Sequence, residues 1–339
     1  MAVAFDLDHP QPTRAQTYVV DDVFSPTCCS NSWFSVSDSG SLVYVPGDPN
    51  LGTLTWVDRD GRVTSAADKA ASVADLTLSP DGTRVVVEEE DAGLWIVDLR
   101  RGTRSRLTHE NEGSNAYPVW SRDGARIFFA SNRGGDWDLY SAPAAGGPAK
   151  RILARKGNQF PMSVAPDGTL LFVERTRGGA DLWTLSPGDT PSPFLVSAAG
   201  KVGGQFSPDG RTIVYVSDET GRDEVYVRSV ARPDDAAAVS TDGGGGPRWS
   251  PGGKELFYRK GDAFMAVSVS STGSLRVGDA RKLFDIRAAS GRTTMHAGYS
   301  VSPDGRQFLV LLLDPRAVPT QINVVLNFFD ELKAKVPTR

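Results

Sequence analysis

The sequence is short of the features that would declare a function outright. Its only two cysteines, Cys28 and Cys29, are adjacent. The peptide joining such neighbours must distort to reach disulfide geometry, so two free thiols in a loop are expected, and a metal site there would need ligands that the local sequence does not supply. Histidine is nearly as scarce, at three. No apolar run approaches the roughly 18 residues of a membrane-spanning helix. The longest, Phe308 to Leu313, is strand-sized. There is no basic excess either: a net charge of −4 excludes the positive field on which nucleic-acid binding rests. Met1 to Phe5 lacks a basic start and runs into Asp6 and Asp8, so it does not read as a signal peptide.

Glycine (35) and proline (22) are plentiful, as in chains of many short strands joined by turns. The turns share a spelling. "SPDG" begins at Ser79, Ser207 and Ser302, with near copies at Ser37 (SDSG), Ser121 (SRDG), Ala165 (APDG) and Ser250 (SPGG). Successive starts are 42, 42, 44, 42, 43 and 52 residues apart, the period of a four-stranded propeller blade. The residue before each turn is apolar, and its fourth residue is always glycine, which accepts the positive φ that a tight hairpin needs. A second strand follows (Thr212 to Val216), then a third carrying an aromatic (Leu182-Trp183, Val225-Tyr226), then a short fourth (Pro193 to Val196). One four-stranded sheet cannot bury both its faces, so neighbouring blades must pack around a ring. The expectation is an all-β fold, a single β-propeller domain over 1–339 with four-stranded antiparallel blades, seven of them or alternatively six.

The termini suggest how the ring closes. "MAVAFDLDHPQPTRAQTYVVDD" parallels "MAVSVSSTGSLRVGDARKLFDI", setting Met1 over Met265 and Asp21 over Asp285. Strands at about 2–7 and 16–20, within 1–22, are therefore expected to complete the blade begun by 297–302 and 306–313. Gln321 to Phe329 competes for the same slot, and 328–336 reads as a short amphipathic helix. A start in mid-blade also suggests a piece of a longer reading frame.

These residues resemble a known family. The repeated "W/F-S-P-D-G-x-x-hydrophobic" unit is similar to the WD-repeat-like propeller repeats of TolB-type proteins. "SDETGRDEVYVR", "VSTDGGGGPRWSPGGKELFYR" and "PTQINVVLNFFDELK" resemble most the propeller segment that follows the kinase domain in some bacterial serine/threonine kinases. The resemblance implies a bacterial, extracytoplasmic, periplasmic-sensor type of propeller. It implies no kinase activity, since no kinase motif is present.

Catalytic signatures are missing. There is no G-x-S-x-G elbow, His109-Glu110-Asn111-Glu112 lacks the second histidine of a zincin, and "TDGGGGPRW" lacks the Lys-Ser/Thr of a phosphate loop. "DRDG" at Asp58 to Gly61 reads as a hairpin turn, and Glu88 to Asp91 as a solvated loop. Asp138, Asp181 and Glu224 recur before the strand aromatics, which argues for backbone bonding. A site needs asymmetry, and the channel mouth opposite the turns is where ligands of propellers usually bind. Six residues before each turn the chain places Asn31, Asn115, Gln159, Lys201 and His296 among its polar candidates, with His109, Glu110 and Glu112 in the same class of loop. His296 sits in the long insertion behind the 52-residue spacing. The leading reading is a non-catalytic module binding a small molecule or protein at that face, without cofactor, nucleic acid or membrane segment. The alternative is a small hydrolase of ester, lactone or phosphoester bonds, assisted by a metal ion held by the histidines and glutamates at the mouth.

Overall fold

Strands such as Thr212-Ile213-Val214-Tyr215-Val216-Ser217 are buried along their whole length, with no polar face. That pattern belongs to a sheet covered on both sides, and here each sheet is covered by its neighbours. The computed structural model describes residues 23, 34–46, 51–89, 93–109, 113–271, 274–288, 297–314 and 321–335, with side chains left out at 68–70. They fall into two compact units, Met1–Leu51 with Asp314–Arg339, and Gly52–Leu313.

The chain enters the first unit with the hairpin β1 (Phe34–Val36) and β2 (Leu42–Tyr44). In the second, β3 (Leu51–Asp58) turns at Asp58 to Gly61 into β4 (Val63–Leu78), a 16-residue strand shared between two sets of four. The later part of β4 pairs with β5 (Arg84–Glu89), which continues to β6 (Leu94–Asp98) and β7 (Arg104–Arg106). Three separate four-stranded sheets repeat this antiparallel order. They are β8 (Asn115–Trp120), β9 (Arg126–Gly134), β10 (Asp136–Pro143) and β11 (Lys150–Leu153); β12 (Asn158–Val164), β13 (Leu170–Thr176), β14 (Gly179–Leu185) and β15 (Ser192–Leu195); and β16 (Lys201–Phe206), β17 (Thr212–Ser217), β18 (Glu224–Ser229) and β19 (Ala236–Ala238). The next has β20 (Gly245–Trp249), β21 (Glu255–Lys260) and β22 (Ala263–Ser270), with β23 (Arg276–Val277) and β24 (Arg281–Asp285) both on β22. Finally β25 (Tyr299–Val301) pairs with β26 (Gln307–Leu313), and β26 pairs with β3 from Gln307↔Asp58 to Leu313↔Gly52. The last strand, β27 (Asn323–Val325), returns to β2, and helix α1 (Phe328–Lys335) follows.

The strand against β26 is thus β3, where residues about 2–7 were expected. Those residues and 16–20 lie outside the described residues. The competitor segment, Gln321 to Phe329, contributes β27 to the first unit instead. "DRDG" is the β3–β4 turn, with Gly61 N–H donating to Asp58 O at φ 82°.

The repeated tetrapeptide is one hydrogen-bonded device. At Ser79 the Gly82 N–H donates to Ser79 O, Ser79 Oγ donates to Asp81 Oδ1 (2.6 Å), Thr83 N–H donates to that same carboxylate, and Ser79 Oγ accepts Arg84 N–H (3.0 Å). The glycine φ lies between 66 and 87° at all seven turns. Six of them fall in the Gly52–Leu313 unit, and there proline meets glycine from turn to turn. Pro80 faces Gly124, Pro166 faces Gly210, Pro208 faces Gly253, Pro251 faces Gly305 and Pro303 faces Gly82, where an added Cβ would stand 2.8–3.7 Å from the ring. Gly40, of the seventh turn, faces Phe329 inside the first unit.

The first strands of the sheets are neighbours in sequence: β4 beside β8, then β12, β16, β20, β25 and β4 again. The core lies between sheets. One cluster joins Tyr117 of β8, Phe160 and Met162 of β12, Leu171, Leu182 and Tyr215; another joins Val57, Phe257, Phe264, Tyr299 and Phe308.

Candidate functional site

Asn115, Gln159 and Lys201 stand at the start of three adjacent inner strands, and all are buried. Each turns to the loop that delivers its own strand. Asn115 Nδ2 donates to Gly113 O, and its Oδ1 accepts from Arg133 Nη2, both at 3.0 Å. Gln159 Nε2 donates to the carbonyls of Arg155 and Gly157. Lys201, 1% exposed, donates through Nζ to Ser197 Oγ and Ala199 O, 4.0 Å from Asp181. Burial pulls the Lys201 pKa down, and the carboxylates of Asp181, Glu219 and Asp218 resist it. His109 is exposed, while Asn31, Glu110, Glu112 and His296 lie outside the described residues.

The recurrent acids before the strand aromatics do hold structure. Glu224 accepts from Gly243 N–H (2.8 Å) and Ser240 Oγ, Asp181 accepts from Ser197 N–H, and Asp138 pairs with Arg151 at 3.3 Å. Glu88 departs from the solvated loop expected of the acidic run. It is 0% exposed in β5, and its Oε2 accepts the N–H of Tyr117 at 3.1 Å. Tyr117 has φ 57°, a left-handed conformation unusual for an aromatic residue. Strand alternation points Glu88 inward, where its carboxylate satisfies the N–H that this twist displaces from the ladder.

Tyr117 marks a general feature. Pairing slips by a residue between Ala116 and Val119 of β8, Val202 and Gln205 of β16, and Gly245 and Arg248 of β20. Gly203, Gly246 and Gly298 take the positive φ at the equivalent places. These are β-bulges, which re-aim the residues that follow them.

Beyond the bulges, the side chains two residues before the turns line a central cavity of about 300 Å³ at the turn end of this unit. Three of them bridge to the next inner strand. Ser300 Oγ accepts Leu78 N–H (3.0 Å), Ser163 Oγ accepts Phe206 N–H (3.1 Å), and Gln205 Oε1 accepts Trp249 N–H (2.8 Å). The indoles add Trp120 Nε1 to Thr77 O and Trp249 Nε1 to Gln205 O. At this position β20 carries Arg248, whose one hydrogen bond among the described residues runs from Nη1 to the adjacent Pro247 O. A second cation, Arg122, replaces the turn proline and donates through Nη2 to the carbonyls of Ser207 (3.3 Å) and Pro208 (3.2 Å). Local desolvation lowers the pKa of both guanidinium groups, although Arg122 is exposed and Arg248 half-buried; at Arg248 the fields of Tyr299 and Asp75 oppose it. Both still carry their charge at any ordinary pH. Among the described residues no carboxylate lines the cavity.

The two arginines were not among the residues singled out by sequence. The available signal was positional. At the sites two before the turns the chain reads Thr77, Val119, Ser163, Gln205, Arg248 and Ser300, with one charge among six. Among the described residues no group of three or more His, Cys, Asp or Glu is placed to hold a metal ion, and no helix is long and apolar enough to cross a membrane.

Comparison with known proteins agrees with this architecture. Residues 24–198 match PD40, the TolB beta propeller domain. An uncharacterized peptidase, YuxL of Bacillus subtilis, is 32% identical over 112 residues, 30% of this chain and 17% of that protein. The chain therefore spans a small part of that relative's length. Among solved structures, a TolB from Agrobacterium tumefaciens superposes with a TM-score of 0.65 at 17% identity, covering 78% of this chain and 99% of that one. TolB from Acinetobacter baumannii gives 0.54 at 19%, over 70% and 67%. An oligogalacturonate lyase in complex with manganese gives 0.52 at 13%, over 83% and 96%. At such identities the likeness is one of fold.

Proposed function

Since the chain belongs to the TolB beta propeller domain family, we propose that it is a binding or sensor module whose ligand, a small molecule or the tip of a protein partner, enters the central channel of a propeller ring. The ring has six blades. β25, β26, β3 and the first half of β4 make one of them, so the blade that closes it draws strands from both ends of the Gly52–Leu313 unit. An extracytoplasmic site of action and a sensory role follow the resemblance to propellers beside bacterial kinase domains. The observation that carries the reading is the cavity itself: a sixfold-repeated wall of turns and rungs, broken in symmetry by Arg122 and Arg248. At the other end Asn115, Lys201 and the amide nitrogen of Gln159 are committed to their loops, which supports the turn end as the place of binding.

The test is a plug. Thr77 faces the cavity, and Thr77→Tyr fills it without altering charge. Small-molecule and peptide panels are screened against the purified chain by thermal shift and calorimetry, and ligands found for wild type should lose at least about tenfold in affinity in the plugged variant. Ligands indifferent to the plug overturn the channel as the site. Turnover of an ester, lactone or phosphoester panel that survives purification and is lost in the plugged variant would replace the binding reading with that of a hydrolase.

A further inference from the structure

The six positions two residues before the turns form a rung around the channel, and five of them are neutral: Thr77, Val119, Ser163, Gln205 and Ser300. The rung works by acceptance. Ser300, Ser163 and Gln205 each take a backbone N–H from the next strand. An arginine cannot do this, because a guanidinium has five N–H donors and no acceptor. Arg248 therefore leaves no such bridge between β20 and β25, as Val119 leaves none between β8 and β12. The Arg248 head lines the cavity with a single hydrogen bond among the described residues, to Pro247 O at 3.1 Å. A half-buried guanidinium with one hydrogen bond leaves most of its fork unsatisfied, and a partner of opposite charge would complete it.

The surroundings select the partner's sign. Ser163, Ser300 and Thr77 add hydroxyls to the wall, and Gln205 adds an amide. Arg122 adds a second positive charge, anchored through Nη2 on the carbonyls of Ser207 and Pro208. The aspartates of the turns, such as Asp81 and Asp304, are engaged with Ser79 and Ser302 and with turn N–H groups and are not part of the lining. Asp75, whose field reaches Arg248, also lies outside the lining; its Oδ1 accepts Leu76 N–H.

Resting on the channel-binding reading above, we propose that the turn-end cavity binds a small oxyanion, a carboxylate or phosphate, with Arg248 as the forked charge partner and Arg122 as the second cation. A volume of about 300 Å³ sits at the lower end of small-molecule sites, which fits a phosphate ester or a di- or tricarboxylate and not a polymer segment. A bidentate guanidinium–oxyanion contact in a partly desolvated pocket is among the stronger polar interactions available.

The experiment is calorimetric titration of the whole chain with inorganic phosphate, succinate and citrate, each against chloride at matched ionic strength. The phosphate and carboxylate arms identify which oxyanion is preferred. At least one should bind saturably, and Arg248→Gln should weaken it by tenfold or more. Arg248→Lys, which keeps the charge but not the fork, should fall between. Arg122→Gln should lose less, and Arg101→Gln, on an exposed turn, should change nothing. Should Arg248→Gln fail to fold, the lysine variant carries the comparison. The proposal is overturned if no oxyanion exceeds chloride, or if binding is the same in both Arg248 variants. A neutral ligand blocked by Thr77→Tyr but untouched by Arg248→Gln also overturns it and leaves the channel reading standing. Ligands insensitive to both substitutions overturn the channel reading itself.

Discussion

At the scale of single residues, the turn aspartates are charges held by bonds inside their own tetrapeptide turns. Asp81 is held at about 2, below its ordinary 3.8, first by the Ser79 hydroxyl and then by the Thr83 N–H. Asp123 and Asp304 are lowered for the same reason, through Ser121 and Ser302. Asp209 is lowered as well, although burial pushes it the other way, because Ser207 and Arg211 N–H bond its carboxylate. A carboxyl whose folded pKa is depressed stabilises the fold in full above its unfolded value and loses that contribution as pH falls through the folded one. Denaturant midpoints should therefore drop between about pH 4 and pH 2. The triple variant Asp81→Asn, Asp209→Asn, Asp304→Asn should start less stable at neutral pH and show a shallower acid limb. Parallel limbs in urea titrations would show that other groups drive acid unfolding. Much at this scale escapes the sequence. Glu88 looked like loop solvent because four acids ran together, yet strand alternation aims it at Tyr117 N–H. Arg248 stands two residues before its turn and not six, and the bulge at Gly246 re-aims whatever follows it, so spacing alone does not single it out.

Among elements, the inner strands are joined by side chain to backbone bonds, and these are where a small change should be felt. Ser163→Ala removes the acceptor of Phe206 N–H and leaves a buried donor unsatisfied. The expected loss is about 1–3 kcal/mol, read as a lower urea midpoint at unchanged m. Ser300→Ala should cost a similar amount through Leu78 N–H, whereas Val119 forms no such bond and Val119→Thr should cost less. The bulge makes a stricter demand. Gly246 has φ 57°, and a Cβ there would stand 2.9 Å from Ala297 Cα, a backbone atom that cannot swing aside. Gly246→Ala should destabilise by roughly 2 kcal/mol or more, and equal stability by thermal and urea unfolding would refute the packing of β20 on β25. The turns were legible in the sequence because proline, aspartate and glycine act through local geometry that four letters specify. Membership of a sheet is not local. Ser37 to Gly40 has the same Gly40 N–H to Ser37 O bond as the others but closes the β1–β2 hairpin of the first unit. Counting turns therefore reported one more than the Gly52–Leu313 unit contains.

Over the whole molecule, the decisive pairing is the one between β26 and β3, separated by some 250 residues and made through seven consecutive partners. No periodicity could assign it: the sequence offers residues about 2–7 or Gln321 to Phe329 for that slot, and only the register of Gln307 on Asp58 selects β3. The consequence is mechanical. Phe308, Leu309, Val310 and Leu311 are all buried at 0–1% exposure, and β3 covers one edge of the strand that carries them. Each such side chain is worth about 1.5–3 kcal/mol when fully buried. Exposing even two approaches the 5–15 kcal/mol that holds a typical domain together. Residues 52–313 contain every strand of that unit except Leu51 at the edge of β3, and this stretch should express as a folded piece with one cooperative thermal transition. A piece covering 60–313 lacks β3, leaves β26 unpaired on that side and should lose the sharp transition or aggregate through the open edge. If 60–313 instead melts with the midpoint and cooperativity of 52–313, then the β26–β3 seam adds nothing, and what holds β26 in place must be sought in other strands.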